Sequence, residues 1–547
     1  MSKALRTIAV DLTPILPGGE NGGAKIFVLE LLLRLAEIAP HTNFVLLTQA
    51  ASHEELSALD RPNIRRQLLA GPIASNTAQL RLKNLAARLL PHFPGRLRRV
   101  IVRIGDKLYA SLKRRHSSSA LLRDMKADLL FCPFTAPTYF AAGIPTVCTI
   151  YDLQYKTYPE FFAIEDVENR DRTFIEACRR ATALTAISDY SRDSAIAHGN
   201  LDPSHIRTIY LRMAQRISTN VDQDVLVRLA LTTHRYLLYP ANFWKHKNHE
   251  MLLTAFGMAC HAGLAADIKL VCTGAPGKRQ AYLAQAARAM NLGERVVFPG
   301  YLPNDELAAL LANSCGLIFP SLYEGFGLPV IEAMAAGVPV ACGNLTSLPE
   351  IAANAAILFD PRVPKQIAAA ISTLVENEST RTRLIHAGKQ RAAEFADSGR
   401  MASEYWALFQ HALANLRHEN MITGVYVDGW ASPNLSLQVA PAQSAQVLEI
   451  DLSAPAWVPH HRFTVQLCRA GKLEGGVHVL DRGTSALVSL PLAPTGGCYE
   501  IRIDPSFIPA RSGHGEDQRE LSLMLKRCSI AVAGAERIDL FPEIISV

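Results

Sequence analysis

Short apolar runs alternate with helix-period segments along most of the chain, at Thr7 to Val10, Asn43 to Leu47, Leu129 to Cys132, Thr146 to Ile150 and Ala183 to Ile187. Runs apolar on both faces predict strands inside parallel sheets, covered by the intervening helices. The rhythm breaks at 210–233, where LRMAQRISTNVDQDVLVRLALTTH has polar, linker-like content. A second series follows, with strands predicted at Tyr236 to Tyr239, Ile268 to Thr273, Val296 to Phe298, Gly316 to Phe319 and Val338 to Ala341. A helix near Ala402 to Leu416, with Tyr405, Trp406, Phe409 and Leu413 on one side, closes this region. Beyond about residue 420 helical periodicity fades. Alternating runs such as Phe463, Val465, Leu467 and Ile501, Ile503 stand between Pro and Gly turns, which predicts a β-sandwich. The chain is therefore expected to be α/β, with two doubly wound domains in tandem (1–215 and 234–400), a helix at 401–419 packing back towards the first, and an all-β sandwich-like domain at 420–547.

Composition fits this picture: 547 residues exceed one core, and 49% hydrophobic with 19% charged residues is a globular balance. No stretch approaches the roughly 20 uninterrupted apolar residues that span a bilayer, and the first apolar run soon meets Asp11 and Pro14. Neither a cleaved signal nor a transmembrane helix is expected. The ten cysteines are scattered, without a CxxC pair, and read as reduced thiols of a cytoplasmic protein.

The net charge of +6 is unevenly placed. Residues 81–115 hold eleven Lys or Arg against the single acid Asp106, with leucines and isoleucines near helical spacing. This describes basic amphipathic helices, either a solvated face or one resting on an anionic membrane, peripheral to the cytoplasmic membrane's inner face. Nothing else in the chain supports a nucleic-acid partner.

The chemistry concentrates in IFPSLYEGFGLPVIEAMAAGVPV. A strand ends near Pro320, a loop runs through Gly327, and Pro329 sits where a first-turn proline is tolerated. Gly325 and Gly327 let backbone approach a ligand, and the free N–H groups of the helix attract an anion such as a diphosphate. Glu324 lies in the loop and Glu332 one turn into the helix; each carboxylate accepts two hydroxyl hydrogen bonds. Taken alone, such a turn occurs in many nucleotide-binding folds, and the acids would serve as charges at a helix start. The two glutamates seven residues apart around GFGLP, followed by EAMAAGVPV, resemble the retaining glycosyltransferases of family 4, glycosyl transferases group 1, of GT-B fold.

That resemblance implies two Rossmann-like domains facing across a cleft, with Glu324 on the donor sugar and Glu332 on the nucleoside ribose. Gly325, Phe326, Gly327 and Leu328 form the donor turn. YPANFWKHKNHEMLLTAF matches the family's basic segment and places Lys247 on the diphosphate. Where the family has an earlier basic residue, this chain has Ala241 and Asn242, leaving Lys245 or His246 to assist. PGGENGG before a helix resembles the family's first-domain glycine loop, which carries Gly22 and Gly23 towards the phosphates and acceptor. TIYDLQYKTYPEFF resembles the THDL run, with Tyr151 at the usual histidine and Asp152 keeping the acidic position. A tyrosine does not relay protons near neutrality as imidazole does, so Tyr151 is not assigned as a base. TAISDYSRDS matches the family's serine-bearing strand end, where Ser188 and Ser191 also suit a helix cap. The resemblance further implies front-face transfer with no protein nucleophile, no cofactor and no obligatory metal, the nucleoside-diphosphate sugar being a co-substrate.

Two metal signals are discounted. Asp222-Gln223-Asp224 opens a helix-like stretch instead of ending a strand, and His460 with His461 has no companions at ligand spacing. In the tail, GVYVDGWASPN, APAWVP and FIPARSGHGEDQRELS resemble a domain appended to bacterial polysaccharide glycosyltransferases. Its Trp430, Trp457, Tyr426 and Arg519 suit either sugar stacking or, on the plainer reading, core aromatics and an internal Asp–Arg pair. The expectation is a retaining transferase acting on a glycan or lipid-linked acceptor in bacterial surface polysaccharide (O-antigen or capsule) synthesis. The YPANFW…HKNH form resembles mannosyltransferase-like members, implying GDP-mannose. The alternative is a degenerate GT-B scaffold binding glycans through its β domain.

Overall fold

A computed structural model describes residues 4–17, 22–69, 118–141, 143–213, 224–414, 420–426, 428–442, 444–469, 472–513, 517, 519–532 and 537–541. The basic stretch 81–115 lies outside the described residues, as do Asp222 and Gln223.

The first domain is a seven-stranded parallel sheet of β1 (Thr7–Asp11), β2 (Asn43–Thr48), β3 (Ile64–Leu68), β4 (Leu129–Cys132), β5 (Thr146–Ile150), β6 (Ala183–Ala186) and β7 (Ile206–Thr208), in the order β3-β2-β1-β4-β5-β6-β7. The second is a six-stranded parallel sheet of β8 (Tyr236–Pro240), β9 (Lys269–Thr273), β10 (Val296–Gly300), β11 (Gly316–Phe319), β12 (Val340–Gly343) and β13 (Ala356–Phe359), in the order β10-β9-β8-β11-β12-β13. The central strands are buried along their length, as their unbroken apolar runs require. Both orders reverse beside the first strand of the domain, between β1 and β4 and between β8 and β11. Such a reversal opens a crevice beyond the carboxyl ends of the strands, where ligands of doubly wound sheets bind.

Three strands were absent from the sequence reading: β3, β7 and β13. All are sheet edges and partly solvated: β3 and β7 carry charge, such as Arg65 and Arg66, whereas β13 is an apolar run of only four residues that is easily taken for the end of the preceding helix. The strand expected from Val338 instead starts at Val340, because Pro339 lacks an amide hydrogen for the ladder and Gly337 turns with φ 73°.

The helix Ser398–Ala414 carries the chain back to the first domain. Its Tyr405 hydroxyl lies 3.2 Å from both the Thr149 and Thr185 hydroxyls, and Phe409 packs on Phe131 at 5.1 Å between ring centroids. The described residues beyond this helix include a five-stranded and a four-stranded antiparallel sheet. Gln446–Ser453 alternates buried and half-buried positions, and Leu448 and Ile450 meet Phe463, Val465 and Ile501 in a core separate from that of the α/β domains. No helix among the described residues is long and apolar enough to cross a membrane. All ten cysteines are free thiols.

Candidate active site

The crevice of the second sheet is built from the two loops beside its switch point. After β8 the chain makes a single 3-10 turn, Lys245–Lys247, stopped by Asn248 at φ 62°. The buried Tyr239 hydroxyl donates to the Lys247 carbonyl at 2.6 Å, and Asn248 Nδ2 donates to the carbonyls of Pro320 (3.1 Å) and Pro361 (2.8 Å). The Leu322 amide donates to the His246 carbonyl at 2.8 Å. These bonds tie the lysine turn to the loop after β11. Lys247 Nζ lies 2.5 Å from Glu324 Oε1, both side chains being 12% exposed, with the ammonium 5.4 Å from the Phe319 ring centroid. An ammonium has three N–H donors and the pair uses one, so Lys247 can meet an anionic ligand without releasing Glu324.

The loop then enters the helix Leu328–Ala335 through Gly327, at φ 104°. Ser347 donates its hydroxyl to the carbonyls of Glu324 and Phe326 (3.0 Å each), and the Glu324 amide donates to the Thr346 hydroxyl at 3.0 Å. Phe326 is buried against Phe395 at 5.6 Å. Glu332 is 4% exposed on the helix. The Asn242 side chain braces the neighbouring loop, its Oδ1 accepting from the Ala275 amide at 2.9 Å.

The first domain comes very close to this loop. A methyl group on Gly325 would lie 2.3 Å from the Tyr151 carbonyl oxygen, and one on Gly23 would lie 3.1 Å from Leu328 Cδ1. Gly22, at φ 52°, starts the helix Gly22–Ile38. Ser188 donates its hydroxyl to the Gly325 carbonyl at 2.7 Å, and Ser191 donates to the Tyr151 carbonyl at 2.8 Å. Ser188 also caps the helix Asp189–Gly199 by accepting from the Ser191 amide at 3.1 Å. Asp152 follows β5, one oxygen accepting from the Gln154 amide at 3.0 Å. Burial raises its pKa above the ordinary carboxylate value; Glu324 adds to this, while the Gln154 amide, Arg170 and Lys247 oppose it. The structure thus brings Asp152, Lys247, Glu324 and the Gly325–Leu328 turn together at the mouth of the cleft.

His246 is pushed down to about 4, by burial first and the Lys247 charge second. It is therefore neutral near pH 7 and supplies no second cation, which leaves the exposed Lys245. The Tyr151 hydroxyl is buried without a hydrogen-bond partner among the described residues, and burial raises its pKa well above the ordinary phenol value. It is no base at neutral pH. Two residues of this site, Thr346 and Ser347, are missed from the sequence, because their bonds to Glu324 and Phe326 join positions 21 to 23 residues apart.

In the C-terminal domain the Arg519 guanidinium is held by Asp517 and Asp428, with Nη2 to oxygen distances of 2.7 and 2.5 Å, and stacks 4.7 Å over Tyr426. Trp430 is buried and packs edge-on against Trp457 and Phe507. This is the internal arrangement, with Trp457 still 42% exposed. Among the described residues no group of three or more His, Cys, Asp or Glu is placed to hold a metal ion.

Residues 227–391 match the family model described as glycosyl transferases group 1. O-antigen chain mannosyltransferase B of Escherichia coli is 29% identical over 253 residues, 46% of this chain and 66% of that protein. MMP alpha-(1->4)-mannosyltransferase of Mycolicibacterium hassiacum is 35% identical over 118 residues, 21% of this chain and 29% of that protein. The chain thus spans about two thirds of the first curated relative and under a third of the second. Among solved structures, Anabaena Alr3699/HepE in complex with UDP and glucose superposes with a TM-score of 0.54 at 16% identity, over 74% of this chain and 100% of that one. The fold is GT-B, two Rossmann-like domains, followed by two antiparallel sheets.

Proposed function

We propose that this chain is a retaining glycosyltransferase that moves mannose from GDP-mannose to a growing lipid-linked glycan in bacterial surface polysaccharide synthesis. The observation that carries the reading is the Lys247–Glu324 ion pair at the switch point of the second sheet, facing Asp152 across the cleft. The names of the relatives, two of them mannosyltransferases, support the sugar. Glu332 grips the ribose, and the N–H groups of Gly327 and Leu328 with Lys247 receive the diphosphate. Glu324 fixes the ammonium and contacts the sugar. Gly22 and Gly23 close the opposite wall. Asn242 shapes the floor by holding the loop at Ala275. The basic segment 81–115 rests on an anionic membrane, where each Lys or Arg adds ~1 kcal/mol.

In the transfer step the bond between the sugar anomeric carbon and the diphosphate oxygen breaks. The acceptor oxygen bonds to that carbon from the same face, and the acceptor proton passes to the departing phosphate. Lys247 stabilises the charge that develops on the leaving group, and Asp152 orients the acceptor hydroxyl. A preorganised charge of this kind is worth ~3–4 kcal/mol, about 10²–10³ in rate. Lys247→Ala is therefore expected to lower kcat by about that factor, and Glu332→Gln to act mainly on KM. GDP-mannose turnover with a lipid-linked glycan acceptor, wild type against Lys247→Ala and Glu324→Gln, tests this. Absence of turnover of any sugar nucleotide by the wild type would sink the reading and favour a glycan-binding scaffold.

A further inference from the structure

Glu350 belongs to the second domain, in the short helix Leu348–Ala352, yet its carboxylate serves the first. Its two oxygens accept from the amides of Asp189 (2.7 Å) and Tyr190 (3.0 Å), the opening residues of the helix Asp189–Gly199. Those amides have no partner inside their own helix and lie at its positive end, so a carboxylate is the acceptor they favour. Glu350 is also held from behind: the Arg391 guanidinium donates to the carbonyls of Glu350 (2.7 Å) and Ile351 (2.9 Å). The contact is continuous with the active site. The Tyr190 ring packs edge-on against Tyr323 at 5.9 Å, and the Tyr323 hydroxyl accepts from the Leu153 amide at 3.3 Å, between Asp152 and Glu324 in the cleft.

We infer that Glu350 is a positioning residue for the transfer: it latches the two domains in the geometry that sets Asp152 against Lys247 and Glu324. Its catalytic consequence rests on the glycosyltransferase reading; the latch itself does not. The groups assigned to direct contact with the nucleotide sugar, Lys247, Glu324, Gly327, Leu328 and Glu332, lie on the second domain, so loosening the latch leaves nucleotide-sugar binding largely in place and empties the closed state. A hydrogen-bonded charge of this type is worth at least about tenfold in an equilibrium. Glu350→Ala should therefore lower kcat about tenfold or more, with KM for GDP-mannose changed less than about twofold. Small-angle X-ray scattering of the full chain without nucleotide should show a larger radius of gyration for the variant than for the wild type. Glu350→Gln keeps the side-chain size and one acceptor oxygen, and should fall between the two in both measurements, so the inference stays testable if the alanine variant folds poorly. Wild-type kcat and wild-type scattering in both variants would overturn the latch. A wild type that turns over no sugar nucleotide would overturn the functional reading instead, and the scattering comparison would still decide the latch.

Discussion

Asp11 ends β1 with its side chain 1% exposed. One carboxylate oxygen accepts from the Thr13 amide (3.0 Å) and hydroxyl (2.6 Å). Burial nevertheless raises its pKa to about 6, the hydrogen bonds from Thr13 offsetting only part of the effect. The folded protein thus holds this proton to higher pH than the unfolded chain does. The corresponding stability is complete below about pH 4 and is lost as pH rises through 6, a total of ~3 kcal/mol at 1.36 kcal/mol per pH unit. Asp11→Asn keeps the shape and cannot ionise. Between pH 5 and pH 8 the wild type should lose about 1–2 kcal/mol relative to this variant, read as diverging denaturant midpoints. A difference that stays constant with pH would count against the buried-acid account. In sequence Asp11 was visible only as the polar residue ending an apolar run, because its burial arises only once β1 is flanked by β2 and β4. Lys247 and Glu324 were visible as separate motif members for the same reason: 77 residues separate them, and only the adjacency of β8 and β11 makes them a pair.

At the level of elements, the loop between β11 and the helix Leu328–Ala335 was legible because its glycines, Pro329 and spaced acids have local causes. Central strands were legible through their apolar runs, and so was the edge strand β10, whereas β3 and β7 are broken by charge and β13 is only four residues long. What the sequence could not rank is how much each glycine matters. Gly325 faces backbone: an added methyl would sit 2.3 Å from the Tyr151 carbonyl, which is fixed in turn by Ser191. Gly23 faces only the end of the Leu328 side chain at 3.1 Å, which can rotate away. Forcing apart well-packed backbone costs ~1–3 kcal/mol. Gly325→Ala is therefore expected to lower kcat about tenfold or more, while Gly23→Ala changes it little. Steady-state kinetics on the two variants side by side would show this order, and equal effects would contradict the contact.

Over the whole molecule, the change from helical to alternating periodicity near residue 420 marks a real discontinuity, since the cores on either side share no buried residue. The closed cleft was not visible in that pattern, because it depends on Ser188, Tyr323 and Glu350 meeting groups far away in sequence. Separate cores should unfold separately. Scanning calorimetry of the full chain should show two transitions, and a chain ended after Ala414 should keep one of them. The cut must leave the helix Ser398–Ala414 intact, because Tyr405 and Phe409 complete the first domain. Ligand linkage then assigns the transitions. A nucleotide that binds only the folded α/β unit stabilises it by ~2.7 kcal/mol at 100 times its dissociation constant. GDP should raise that transition, shared by the truncated chain, and leave the other in place. Because Lys247 and the helix N-terminus would meet either diphosphate alike, a larger shift with GDP than with UDP would have to come from the base, as GDP-mannose requires. A larger shift with UDP would remove mannose from GDP-mannose as the transferred sugar while leaving the phosphate site unchanged.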